Sequence, residues 1–475
     1  MFQSVRHAEA YGYRQESMMD LIPSIRAYVN EQRDRFVEEL MTFLRKPGVS
    51  TTGVGIEETV RFLFDELTRL GLRSRVLTLE NANPVVFGEA GDPSARVVLC
   101  IYGHYDVQAP DPLAEWHSDP FDPVINNGFV YARGATDDKG NLFANVKAAE
   151  VLLHLLDRLP IRLKFFFEGE EEIGSPNLRR YLETYRDLLK ADATIVCDRG
   201  VHESGRPQVF LGNKGLVSVR VDCRRAKRDV HSGHAPLIPS SIWDLVRLLG
   251  SLKDEKGRIL VPGHYENVMP PSEEEMSLLR SIPFDPEEFK RKYGITKTLA
   301  EGDEIEHLRT LIFNPTCNIS GIRSGWIGEK PKTIIPAVAS AQLDFRLVKK
   351  QGGREIKEKV TRAIESSPFG PFELQVRGEF EEYRLNPSNP WARLAIETAL
   401  DVTEKDPVVW PLLDGSGPLC LFPLYVGGPT FIIGLGAPFE TANTHAPNEN
   451  IGVDHYLTGI IQMASLIAKA SRIEI

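Results

Sequence analysis

The chain has 475 residues, of which 42% are hydrophobic and 26% charged, and its formal net charge is -10. That length exceeds one typical core and predicts two or more domains, while the apolar content excludes a disordered chain. The acidic balance argues against nucleic acid or an anionic membrane as the main partner.

In chain order, the N-terminal stretch carries Arg6 and Arg14 but no apolar segment of the secretory kind. No run approaches membrane-spanning length, so a cytoplasmic protein is expected. Residues 57–70 place Val60, Leu63, Phe64 and Leu67 at helical spacing, and Gly71 follows as a stop. The continuous apolar run 97–102 predicts a strand covered on both faces. A loop rich in Pro, Asp and Trp follows at 109–123, and a Gly-bounded segment at 132–140 leads into a helix over 141–158. Further buried strands are expected at 163–167 and 193–197. The alternation of strand and helix points to a doubly wound, mostly parallel sheet.

Near residue 215 the pattern changes. Val217, Val219, Val221 and Cys223 alternate with polar residues, as do Ala341, Leu343, Phe345 and Leu347. These predict half-buried strands of an antiparallel sheet. An apolar helix over about 240–252 and a charged helical surface insertion at 272–310 lie between them. The earlier character resumes with a helix from Trp391, a buried run at 430–433 and a final helix at 455–472. The expected organisation is therefore an α/β domain (1–212 and 389–475) interrupted by a smaller α+β domain (213–388).

The five cysteines, Cys100, Cys197, Cys223, Cys317 and Cys420, are scattered and show no paired metal spacing. They fit a reducing compartment better than a disulfide framework. Acids and histidines, by contrast, collect beyond strand ends. His104 and Asp106 follow the first buried run and, in an extended chain, point the same way. The run 163–167 enters Glu168, Glu170, Glu171 and Glu172; the run 193–197 ends at Asp198; the Gly-flanked loop holds Asp137 and Asp138; His445 follows the late strand. Open α/β sheets place their chemistry just past the carboxyl ends of strands. Carboxylates packed together repel unless cations neutralise them. An N/O ligand set without thiolate suits zinc, manganese or cobalt, with neighbouring ions bridged by one carboxylate. Glu170 reads as an exposed loop acid, Glu168 equally as a helix cap or a chemical group, and His117, His202 and His234 as surface or loop residues.

The segments YGHYDVQ, ARGATDDKG, FEGEEEIGS, CDRG and THAPNENI resemble, in order and spacing, those of the di-metal aminoacylase/carboxypeptidase superfamily. That group includes carnosinase-type dipeptidases, acetylornithine deacetylase and succinyl-diaminopimelate desuccinylase. The resemblance runs from about residue 25 to the C-terminus, and YGHYDVQ and RGATDDKG are most similar to the dipeptidase branch.

The resemblance implies a doubly wound catalytic domain with an inserted α+β lid and dimerisation domain. It implies two divalent ions per subunit, zinc first and manganese or cobalt as alternatives. His104 and Asp198 would hold one ion, Glu172 and His445 the other, and Asp137 would bridge them. Asp106 would receive the remaining N–H of His104, Glu171 would be the general base, and Asp137–Asp138 a non-proline cis peptide. His231 of DVHSGHAP would reach a partner's site and stabilise an oxyanion, while Thr333, Arg346 and Ser416 would contact substrate. Arg346 stands on the polar face of its strand, free to grip a carboxylate. Asp414 before Gly415 and the absence of paired glycines after His231-Ser-Gly depart from the dipeptidase pattern.

The function implied is hydrolysis of a peptide or amide bond next to a free carboxylate, by a dipeptidase or carboxypeptidase acting as a homodimer on small peptides. An N-acyl amino acid deacylase is the alternative enzyme reading, and a metal-free binding module the non-enzymatic one.

Overall fold

The continuous apolar runs become the middle of one sheet. The structure, a computed structural model, describes residues 21–474 apart from Asp157, so the stretch with Arg6 and Arg14 lies outside the described residues. Two compact units are formed. The first holds the described chain through Leu211, Leu385–Trp410 and the chain from Leu421 onward; the second holds Gly212–Arg384 and Pro411–Cys420.

In the first unit, an eight-stranded sheet among the described residues runs in the order Arg73–Leu77, Val85–Ala90, Arg162–Glu168, Val98–His104, Ala193–Val196, Thr430–Gly434, Gln208–Phe210 and Val408–Trp410. The four central strands are mutually parallel, and antiparallel pairings appear only toward the two sides. Phe165, Ile101, Ile195 and Phe431 stand side by side across those four strands and are all fully buried. That is why the runs are mostly apolar and do not alternate, the polar Lys164, Thr194 and Thr430 in them being buried as well.

From Val98–His104 the chain crosses to one neighbouring strand, then back over it to Ala193–Val196 on the other side. Right-handed crossovers in opposite directions put their helices on opposite faces, which is the double winding expected. The first crossover contains helix Lys139–Leu155, which packs with the C-terminal helix Val453–Ala470. Lys147 in that helix is fully buried and pairs with Glu39, Glu66 and Glu150. This acid trio therefore has a side-chain cation at its centre and is an ion cluster of the fold.

The second unit is built on the antiparallel order Thr316–Ser324, Val338–Leu347, Gly212–Arg224 and Phe372–Phe380. Val217, Val219 and Val221 pair with Phe345, Leu343 and Ala341 and face the helices Ser241–Ser251 and Gly353–Glu365. Ser218, Arg220 and Asp222 point the other way, as the alternation predicts. The charged insertion forms three helices, Glu273–Leu279, Pro286–Tyr293 and Glu304–Phe313. Local signals start each one: a capping box between Ser272 and Glu275, Asp285 before Pro286, and Asp303 on the Glu306 N–H. A buried Arg384–Glu275 ion pair at 2.8 Å ties the insertion to the sheet. Segment Pro411–Cys420 belongs to this unit because Leu413–Ser416 pairs with the start of strand Gly212–Arg224.

Candidate metal centre

Sheet register alone brings the first ligands level. His104 is paired with Glu168, and Tyr102 with Val196, so His104 and Asp198 each stand two residues beyond one matched pair. Gly103 permits this, since a Cβ there would meet Oδ2 of Asp138 at 2.9 Å. The same Asp138 oxygen accepts the His104 N–H at 3.2 Å and steadies the strand end. The Asp137–Asp138 peptide is cis.

Asp137 lies between two imidazoles. Its Oδ1 is 3.1 Å from Nε2 of His104 and its Oδ2 is 2.9 Å from Nε2 of His445. Asp198 Oδ2 is 3.9 Å from His104 Nε2, and Glu172 Oε2 is 3.1 Å from His445 Nε2. Two ligand trios result, His104–Asp137–Asp198 and Asp137–Glu172–His445, and they share Asp137. Glu171 Oε2 is 4.0 Å from His104 Nε2, at the mouth of the first trio. The structure thus brings together all five residues expected to hold metal, and Glu171 with them.

These residues fit a pair of divalent ions. His104 Nε2 is buried and has no hydrogen-bond partner among the described residues. Donor atoms ~3.3 Å apart are what a tetrahedral shell of roughly 2.0–2.1 Å bonds requires. The donors are nitrogen and oxygen only, as zinc, manganese and cobalt all accept. Burial alone would lower the His104 pKa, but Asp106, Asp137 and Asp198 carry it well above the ordinary value. Hydrogen bonds donated to Asp137 and Glu172 raise that of His445 to about 10. Burial, with Asp198 and Asp137 nearby, pushes the Glu171 carboxyl well up.

Asp106 does more than face His104. The Nδ1 of His104 is 3.1 Å from the Asp106 carbonyl oxygen and 3.5 Å from its carboxylate. That carboxylate accepts the backbone N–H groups of Glu171 and Glu172, at 3.2 and 3.1 Å. Glu172 is braced a second time by Gln108, whose Nε2 donates to Oε2 at 3.0 Å. Glu170 is a correction: it is buried, accepting the Asn83 N–H and the Asn177 amide, both at 2.9 Å. Glu168 accepts the hydroxyls of Tyr102 and Ser175. His117 and His234 are exposed, whereas His202 is buried in its loop.

His231, Thr333, Arg346 and Ser416 all belong to the second unit. His231 pairs with Ile334 beside Thr333, and its Nδ1 accepts the Gly233 N–H at 3.0 Å. Arg346 pairs with Leu216, and Ser416 Oγ donates to the neighbouring Gly215 carbonyl at 2.8 Å. Among the described residues Arg346 has no ion-pair partner. The unit therefore joins His231 to Thr333 and Arg346 to Ser416. Thr333 precedes strand Val338–Leu347, and Arg346 lies near the far end of that strand, roughly 25 Å along it from Val338 at 3.3 Å per residue.

Sequence reasoning missed Glu449 and Arg133. Both lie inside quoted motifs, but their ion pair at 2.7 Å joins positions 316 residues apart, and no spacing rule reports that. An open cavity of about 640 Å³ also lies against this region, lined by His117, Asn126, Tyr131, Asn443, Asn448 and Asn450 among others.

The family model described as peptidase family M20/M25/M40 matches residues 100–469. The Beta-Ala-His dipeptidase of Homo sapiens is 31% identical over 368 residues, 73% of this chain and 71% of its own. The Cys-Gly metallodipeptidase DUG1 of Candida albicans is 27% identical over 461 residues, 91% and 93% of the two chains. Among solved structures, an M20 family metallo-carboxypeptidase, Sso-CP2 from Sulfolobus solfataricus, superposes with a TM-score of 0.87 at 35% identity, covering 92% of this chain and 99% of its own. Human carnosine dipeptidase 1 gives a TM-score of 0.78 at 27% identity, covering 95% and 100%.

Proposed function

This chain belongs to peptidase family M20/M25/M40, and from that premise we propose a two-cation dipeptidase that cleaves the bond next to a free carboxylate. The observation that carries the reading is the pair of ligand trios sharing Asp137, with Glu171 beside them. Two divalent cations held there supply an acidified water and a polarised carbonyl. His104 and Asp198 hold one cation, Glu172 and His445 the other, and Asp137 both. Glu171 takes the proton of the attacking water and returns it to the leaving amine. Arg346, planar and without an ion-pair partner in its unit, grips the substrate carboxylate with Ser416 beside it, while Thr333, next to His231, contacts the substrate from that far end.

His231 donates a hydrogen bond to the developing oxyanion. It stands at the far end of the strand that carries Arg346, so one chain cannot bring both to one scissile bond. We therefore read His231 as acting on the partner's substrate in a homodimer. No disulfide joins cysteines among the described residues, which supports work in a reducing, cytoplasmic setting. Zinc is the first choice of ion, with manganese or cobalt as alternatives. The likeness to a metallo-carboxypeptidase favours one second reading, in which longer peptides are trimmed from the carboxyl end.

The test is a panel of dipeptides, tripeptides and N-acyl amino acids, run on chelator-stripped protein reloaded with zinc, manganese or cobalt. Metal-dependent cleavage of dipeptides is expected. Cleavage of tripeptides by loss of the last residue selects the carboxypeptidase reading, and cleavage of N-acyl amino acids alone overturns both. No hydrolysis with any metal removes the enzyme reading altogether.

A further inference from the structure

The Glu449 carboxylate is fully buried and surrounded by donors from one short segment. Its Oε1 accepts the N–H groups of Thr136 and Asp137, each at 2.9 Å. Its Oε2 accepts the Gly134 N–H at 3.0 Å and Nη1 of Arg133 at 2.7 Å. One side chain thereby engages four of the five residues that end at Asp137. Arg133 is itself buried beneath the Trp116 ring, so its charge has no exit to water. A carboxylate accepting several backbone N–H groups fixes the backbone around it.

Four residues before Glu449 lies His445, whose backbone φ is +61°. A left-handed conformation is uncommon outside glycine, and a loop held by its neighbours keeps it in place. The residues on either side of Glu449 tie down the loop that carries His445. Asn448 accepts the His117 N–H at 2.8 Å and donates to the Glu115 carbonyl at 3.0 Å. Asn450 donates to the Thr441 carbonyl at 2.9 Å, closing the loop on itself. The Thr136 hydroxyl completes the tie by donating to the Asn450 carbonyl at 2.7 Å.

We propose that Glu449 is a positioning residue that locks the Asp137 loop to the His445 loop and so presets one cation site, that of Asp137, Glu172 and His445. The inference rests on the two-cation reading above. It is asymmetric because the other site shares only Asp137 with this lock: its His104 and Asp198 are set by neighbouring parallel strands of the sheet. Loss of Glu449 falls chiefly on the ion bound through His445.

The experiment uses the full chain, stripped with chelator and titrated with zinc in a calorimeter, with bound ions counted by elemental analysis. Variants are E449Q and the double change R133M/E449Q, which leaves no buried guanidinium unpaired. Two ions are expected on the unaltered chain. Each variant should keep one ion at near-parental affinity and bind the second about 10- to 100-fold more weakly, the usual size of an outer-shell loss. Two ions at parental affinity in both variants overturn the proposal. Amide exchange on the stripped, unaltered chain tests it without substitution: slow exchange at Gly134, Thr136 and Asp137 is expected, and fast exchange there overturns it. Fewer than two ions on the unaltered chain sinks the two-cation reading itself, a separable outcome.

Discussion

The Asp106 carboxylate accepts the backbone N–H of Glu172 at 3.1 Å, and this bond joins the ends of two neighbouring parallel strands. Its other oxygen takes the Glu171 N–H, so one buried acid sets the proposed base and a proposed ligand together. In Asp106→Asn the new NH2 meets an N–H donor on one side. The chain should fold, as circular dichroism will report, but kcat should fall about 10- to 100-fold, as for other residues that orient ligands. An unchanged kcat would mean that the acid turn is held without this contact.

Glu171→Gln keeps the shape of the side chain and removes its ability to accept a proton. A positioned base is worth about 10²- to 10⁴-fold, so kcat should drop by that range or more. Metal content should stay near the parental value, because the residue is outside both ligand trios. Substantial turnover by this variant would end the general-base assignment.

The frame of the centre was legible because it follows from local rules. A mostly apolar run without alternation marks a doubly covered strand, and His104, Glu168 and Asp198 follow such runs, so sheet register carries them to one level. The alternation at 217–223 and 341–347 likewise reports one buried face. What stayed hidden depends on pairings between remote segments. Glu449 reads as one more acid until the chain closes and Arg133 arrives, and the strands Val124–Asn126 and Phe129–Tyr131 are too short to show a period. Glu170 carries no local sign of the Asn83 and Asn177 partners that let it be buried.

The separation of His231 from Arg346 along one strand makes a mixing experiment decisive. His231→Ala and Glu171→Gln should each be nearly inactive alone. In a two-fold dimer with exchange in trans, half of the random mixture is hybrid. Each hybrid carries one site with both Glu171 and the partner's imidazole. Activity should return to about a quarter of the parental value after co-refolding or co-expression, by this counting. A mixture no more active than its components would place His231 in its own chain's site or outside catalysis.

Metal uptake should be proton-linked. Asp137 and Glu172 hold the His445 pKa at about 10 before an ion enters, so at pH 7 the imidazole is protonated and must release that proton to bind. Affinity for the second ion should rise roughly tenfold per pH unit across the neutral range and level off near the histidine pKa. Calorimetry in buffers of different ionisation enthalpy should show at least about one proton released per chain. Uptake that is flat with pH would contradict the ligand assignment of His445.

His264, in the second unit, is buried against Tyr265 and Phe345, and neither ring nitrogen has a hydrogen-bond partner among the described residues. Burial, with Lys359 nearby, lowers its pKa to about 4 from the ordinary 6.5. The folded-state value is the lower one, so between these limits the unfolded chain binds a proton that the folded chain refuses. Stability is therefore full above about pH 6.5, declines as pH falls toward 4, and by linkage is down by about 2 kcal/mol at pH 5 relative to pH 7. His264→Leu removes the group without leaving an unmet donor. Urea unfolding of that variant at pH 7 and pH 5 should lack this share of the pH dependence, the rest of the profile being unchanged. An equal acid loss in variant and parent would show that the imidazole is hydrated or paired in solution, and that the acid sensitivity of this unit arises elsewhere.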